Sequence, residues 1–275
     1  MTRASVQRKC IPILLCCAVV CAVAQAQTTK PTFGVTNRKN VLGAATKSYY
    51  NLRNQGLVSY QCDITPDWNL LLQDQRKQNP AAADTAIQLL NQLRFTVNLA
   101  ADDSVKLSHN ELTGQSQEMM NALSQIYGGM EQMTSGFFDT WKLFMLNTPF
   151  PAVDSDYQVE NLGQRYRLTY KESGADVATS MGHDYSITNL QVTTKDYDSA
   201  IQPTFNKDRS GYVLTAYDAT YTSQNAAEKT VLTVNMEYQQ VQGLQVPKTL
   251  NLSGTYGGTP FAVKLAFSNY QITKK

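Results

Sequence analysis

Residues 249–268 read TLNLSGTYGGTPFAVKLAFS. Before the glycine pair, Leu250 and Leu252 alternate with Thr249, Asn251 and Ser253. After it, Phe261, Val263, Leu265 and Phe267 alternate with Ala262, Lys264, Ala266 and Ser268. A strand turns successive side chains to opposite faces, so a period of two sorts the chain into an apolar face and a polar one. With Gly257-Gly258 as the turn, the stretch reads as an antiparallel hairpin, greasy on one side and wet on the other.

The same alternation recurs upstream. Leu232, Val234, Met236 and Tyr238 alternate with Val231, Thr233, Asn235 and Glu237, and Tyr166, Leu168 and Tyr170 with Arg165, Arg167, Thr169 and Lys171. Tyr185, Ile187 and Val192 mark weaker strands. Phe95-Val97-Leu99 and Val105-Leu107-His109 form a hairpin through residues 101–104. Val58, Tyr60, Cys62 and Ile64 alternate with Ser59, Gln61 and Asp63 in a strand that Pro66 ends. Parallel sheets, buried on both faces, show continuous apolar runs instead, so eight or more such strands predict an antiparallel sheet that needs a cover on one face.

Helical periodicity supplies the cover. Val41, Leu42, Ala45, Tyr49 and Leu52 recur at helical spacing, with Gly56 as a stop. Residues 66–93 are helical in composition and should break at Asn79-Pro80, because proline disfavours helix in the residue before it. A longer helical region spans about 115–147, which Gly128-Gly129 and Ser135-Gly136 should break or kink. The expected fold class is α+β: a large curved antiparallel sheet, an incomplete β-barrel, covered on its concave face by helices. Residues 41–275 form one such domain, with residues 27–40 a flexible leader.

Residues 1–26 read as a cleaved signal peptide: Arg3, Arg8 and Lys9, then an apolar stretch from Ile11 to Ala24, then the small-x-small site Ala24-Gln25-Ala26. At about 14 residues the apolar stretch is short for a membrane-spanning helix, which disfavours an N-terminal anchor. A lipid anchor is disfavoured too, since Val20 precedes Cys21 and Cys16 precedes Cys17, where a bacterial lipoprotein signal wants a small residue. The expected location is the periplasm or the exterior. Of five cysteines only Cys62 lies beyond this segment, so no disulfide is expected. Removing it takes the basic residues from 24 to 21 against 22 acids, a net charge of −1 with no basic run, and nucleic acid is not an expected partner.

Catalytic signals are sparse. His109 continues the apolar face of its strand and reads as a buried histidine; His183, in Met181-Gly182-His183-Asp184, reads as a loop residue. Neither has a partner at metal-ligand spacing, and no G-x-S-x-G elbow or phosphate-binding glycine loop is present. Cys62 reads as a small buried hydrophobe. The acidic pairs read as turn residues. The chain is therefore read as a non-enzyme, without cofactor or metal.

What stands out is the helix at 115–147, where five methionines and five aromatics crowd about thirty residues. Surfaces that accept varied apolar shapes over-use methionine, but a helix laid on a greasy sheet must itself be greasy, so cavity and plain core both stay open. On the cavity reading, Met119, Met120, Met130, Met133, Phe137, Trp141, Phe144 and Met145 face Val97, Leu232, Val234, Met236, Val263, Leu265 and Phe267 across a hollow.

Two stretches carry a resemblance: Tyr49 to Asp63, YYNLRNQGLVSYQCD, and Glu237 to Ile272, EYQQVQGLQVPKTLNLSGTYGGTPFAVKLAFSNYQI. Both resemble the bacterial outer-membrane lipoprotein-sorting proteins, the LolA/LolB-like lipid carriers. The resemblance implies a helix leading into an incomplete barrel, with helices over its open side and acyl chains in the hollow. It implies a lipid or a lipidated protein as partner, with transient membrane contact. Pulling a sixteen-carbon chain from a membrane costs on the order of 12 kcal/mol, at about 0.8 kcal/mol per methylene, which a dry cavity must return. The rival expectation is an envelope structural or interaction protein with a filled core.

Overall fold

A computed structural model describes residues 35–223, 229–256 and 258–275. The signal-peptide assignment and most of the expected leader lie outside these residues. Residues 35–40, expected to be flexible, begin the first helix. The elements in chain order are α1 (Val35–Lys47), β1 (Leu57–Pro66), α2 (Trp68–Leu71), α3 (Gln73–Gln78), α4 (Pro80–Leu90), β2 (Phe95–Leu99), β3 (Val105–His109) and α5 (Gln117–Met145). Nine strands follow: β4 (Tyr157–Asn161), β5 (Arg165–Glu172), β6 (Ala175–Gly182), β7 (Ile187–Thr193), β8 (Tyr197–Asp208), β9 (Gly211–Ser223), β10 (Lys229–Val241), β11 (Leu244–Tyr256) and β12 (Thr259–Lys274).

All twelve strands join one antiparallel sheet in the order β3-β2-β1-β12-β11-β10-β9-β8-β7-β6-β5-β4. The sheet is curved and open, with β3 and β4 as its edges. From β4 to β12 it is a plain meander, and β12 closes back onto β1, so the first and last strands lie side by side. The alternation read from residues 249–268 is the observed register: Leu250 stands opposite Leu265 and Leu252 opposite Val263.

The helices follow local chemistry. The break at Asn79-Pro80 is real, and Asn79 turns it into a cap: its Oδ1 accepts from Ala82 N at 3.2 Å, with Pro80 at the first helical position. Ser116 caps α5 in the same way, accepting from Met119 N. The expected break in α5 does not occur, and the helix runs unbroken through Gly128, Gly129 and Gly136. Its buried residues, Leu123, Met130, Phe137, Phe138, Trp141, Phe144 and Met145, bury enough apolar surface to override the poor helix propensity of glycine.

The first helix ends at Lys47, earlier than its spacing suggested, because Tyr49 and Leu52 belong to a clasp. Residues 48–56 bond to the ends of strands from across the whole sheet. Tyr50 N donates to Tyr212 O at 3.1 Å, and Tyr212 N donates to Ser48 O at 2.8 Å. Tyr49 Oη donates to Tyr185 O at 2.9 Å and accepts from Ile187 N at 2.8 Å, while Tyr50 Oη accepts from Gln245 N. Asn51 Nδ2 donates to Leu146 O and Asn147 O past the end of α5, and Leu52 N donates to Met145 O. Arg53 pairs with Asp103 and donates to Ala100 O in the β2–β3 turn, and Lys275 N donates to Gly56 O. Gly211 makes the docking feasible: its φ is +120°, and a Cβ there would stand 2.7 Å from Tyr50 N and 2.8 Å from Ser48 O.

Candidate functional site

The side chains expected to line a hollow sort into three groups. The first is sealed. Val97, Trp141, Phe144 and Met145 are 0% exposed and Val234 and Leu265 1%, so no water-sized sphere fits beside the first four. Phe137 and Phe138 meet the Phe267 ring of β12 at centroid distances of 6.2 and 6.3 Å, and Phe144 meets Phe205 of β8 edge-on at 5.6 Å. Trp141 Nε1 donates to Tyr238 Oη of β10 at 3.1 Å, which satisfies the one polar atom this indole brings into the core. Met130, Met236 and Phe267 are buried as well. These positions belong to one buried cluster, packed as core.

The second group lies outside the packed layer. Met119 and Met120 stand on the first turn of α5, 37% and 51% exposed. They are one turn too early to face the buried surface and line nothing.

The third group, Met133 and Leu232, is half-buried, while Val263 beside them is buried at 8% exposure. Its members point to residues that the sequence reading left off its list. Leu232 is registered with Gly254, and Gly254 with Phe261, across β10, β11 and β12. The next row inward is Val234, Leu252 and Val263, then Met236, Leu250 and Leu265. On β11 and β12 burial deepens inward, with Leu252 and Phe261 half-buried and Leu250 and Leu265 sealed; on β10 the half-buried Leu232 is followed by Val234 at 1% and Met236 at 6% exposure. Tyr221 of β9 is half-buried on the same face at the same end. The gradient runs from the β9–β10 and β11–β12 hairpin ends toward the clasp. Phe261 and Leu252 share the phase of Val263 and were legible on that ground; Tyr221 sits in a strand whose alternation is too weak to flag.

Gly254 marks where the sheet curls at this end. A Cβ on it would come within 2.1 Å of Val231 O, so β11 approaches β10 more closely than any side chain permits.

Beside the sealed region sits a cluster of neutral polar groups. Burial pushes the Cys62 thiol up to about 12 and raises the hydroxyls of Tyr60, Tyr238 and Tyr270 above their usual range. All four are protonated at neutral pH, and Cys62, 1% exposed, is the inert thiol its strand position suggested. His109 corrects the sequence reading: it is exposed at the sheet edge, stacked on Tyr127 of α5 with ring centroids 3.7 Å apart. His183 lies exposed in the β6–β7 turn. Among the described residues one cleft opens on the outer face over β1, β2 and β12 and another between α3 and α4, and neither of these lies between α5 and the sheet.

No family model, curated protein or solved structure matches the chain.

Proposed function

We propose that the protein binds and carries an acyl chain, of a lipid or of a lipidated protein, between the concave face of its sheet and the helices that cover it, α5 foremost. The chain seats at the hairpin end, where Leu232, Leu252, Phe261 and Tyr221 leave apolar surface half-covered. That graded row is the observation that carries the proposal. The sealed half of α5 serves as the fixed wall, and the half-buried Met133 faces the mobile content. Exposed Met119 and Met120 suit brief contact with a bilayer surface. This reading narrows the resemblance to the lipoprotein-sorting carriers from the whole interior to one end of it, and it places the protein in the periplasm or outside the cell.

A second reading rests on a specific observation. The completeness of packing around Trp141, Phe144 and Met145 suits an envelope interaction protein with a filled core. Native mass spectrometry on residues 27–275, purified gently after export, separates the two. The carrier reading expects an extra mass of lipid size that denaturation releases, and that is lost in Leu252→Trp, where the larger ring fills the seat. A bare mass after incubation with phospholipid and lipopeptide sinks the carrier and leaves the filled-core protein.

A further inference from the structure

The outer, polar face of the sheet carries a groove of ≈ 410 Å³ over β2, β1 and β12, and we propose that it binds a neutral saccharide. Three amides form its spine: Gln61 is registered with Asn98 on one side and with Gln271 on the other. Ser59, registered with Thr273, and Gln242 of the β10–β11 turn complete the lining. All but the half-buried Ser59 are exposed.

None of these six side chains makes a hydrogen bond among the described residues. Some other amides on this protein are committed: Asn79 to a helix cap, Asn51 to the end of α5, Gln239 to two carbonyls, Gln117 to Asn121. One row along β1 the commitments resume, where Asp63 accepts from Asn269 Nδ2 at 2.8 Å and from Thr96 Oγ1 at 3.3 Å. The groove is thus a set of free donors and acceptors within one concavity, with satisfied groups along β1 on one side.

Ligand class follows from what the patch offers. Each primary amide presents a donor and an acceptor side by side, the complement of neighbouring hydroxyls that also donate and accept. Charge gives no hold: Asp63 is engaged, and Lys274 Nζ donates to Gln242 O at 3.3 Å. A peptide cannot add as a strand, because β1, β2 and β12 are interior strands whose backbone groups are used on both sides.

The test is a titration of isotope-labelled residues 27–275 with the tetramers of β-1,4-glucose, α-1,4-glucose and β-1,4-N-acetylglucosamine, followed through side-chain amide NMR signals. At least one tetramer should shift the signals of Gln61, Asn98 and Gln271. Gln61→Ala and Gln271→Ala, both on the exposed face and folded by their backbone spectra, should each weaken that binding about tenfold. The proposal is overturned if no tetramer shifts those signals at millimolar concentration, or if the double variant binds undiminished. Triglycine shifting the same signals as strongly overturns the saccharide assignment.

Discussion

The two ends of the sheet differ although the same strands run through both. At the clasped end, residues 48–56 tie the β2–β3, β6–β7, β8–β9 and β10–β11 turns, the end of α5 and Lys275, just past β12, into one bonded unit. At the hairpin end, the same apolar faces stop short of full burial. Alternation makes a face, and it does not seal one. Sealing comes from a short irregular segment whose donors and acceptors reach many strands at once, and among the described residues only one end has it. On the carrier reading, an apolar ligand has its seat where the clasp is missing.

The largest expected effect is a matched pair of truncations. Leu52, in the clasp, is 0% exposed, and Leu52→Ala should cost about 2–5 kcal/mol, the usual range for a sealed leucine. Leu252, on the half-covered row, should cost less than about half of that when cut to alanine, because solvent already reaches it and the vacated space opens outward. Urea midpoints of the two variants measure the difference. Equal losses would break the comparison between the ends.

Next is Gly211→Ala. A left-handed φ costs a non-glycine residue about 1–2 kcal/mol, and here the new methyl also collides with the backbone of Ser48 and Tyr50, so about 2 kcal/mol or more is expected. Hydrogen exchange sharpens the result: protection should fall at Tyr50 and Tyr212, with the β11–β12 amides unchanged. If loss of protection spreads evenly through the sheet, the clasp is not a local unit.

How legible these features were depended on how locally they are encoded. β10, β11 and β12 show a strong apolar–polar contrast in every pair of residues and read directly. β8 hides its inward face behind Ser199, Ile201, Pro203 and Phe205, and β6 behind Val177, Thr179 and Met181, so neither contrast rises above its neighbours. The clasp was misread as the end of a helix, because Tyr49 and Leu52 continue the spacing of Val41 and Ala45. Their long-range partners lie about 90 to 160 residues away, and no local pattern reports such contacts. The glycines of α5 were read by propensity alone, which tertiary burial overrode. The strand residues named for a hollow lie on the inward faces of their strands, as alternation shows; how exposed each one is along that face depends on long-range packing that no local pattern reports.

Acid should act on the clasped end before the other. The Ser186 hydroxyl, with Ser186 N and Tyr212 Oη, holds the Asp184 carboxyl below the usual carboxylate range, and the Ser210 hydroxyl, with Ser210 N and Gln245, does the same for Asp208. A depressed folded pKa stabilises fully above the unfolded value of about 4 and is lost as pH falls through the folded one. Urea midpoints should therefore drop between pH 6 and pH 3, and Asp184→Asn, which keeps the acceptor and removes the titration, should flatten part of that drop. Both carboxylates are largely exposed, so solvent screening keeps the effect modest. Exchange at residues 183–186 should quicken in acid ahead of exchange at the β5–β6 turn.

The smallest expected effect runs the other way. Where a Cβ would stand on Gly128, Gly129 or Gly136, no atom lies within 4 Å, so packing does not require these glycines. Each nonetheless lowers helix stability by about 0.8–1 kcal/mol relative to alanine. They weaken α5 between its exposed first turns and its sealed last ones. Gly129→Ala should therefore stabilise the protein by up to about 1 kcal/mol and slow amide exchange over residues 117–130, while residues 137–145 stay as they were. On the carrier reading it should also slow the uptake of a lipid, since the helix must yield near the half-covered row to admit one. Added stability with unchanged uptake would place the entry elsewhere on that end of the sheet, away from α5, and would leave the contrast between the clasped and hairpin ends standing without the helix as its gate.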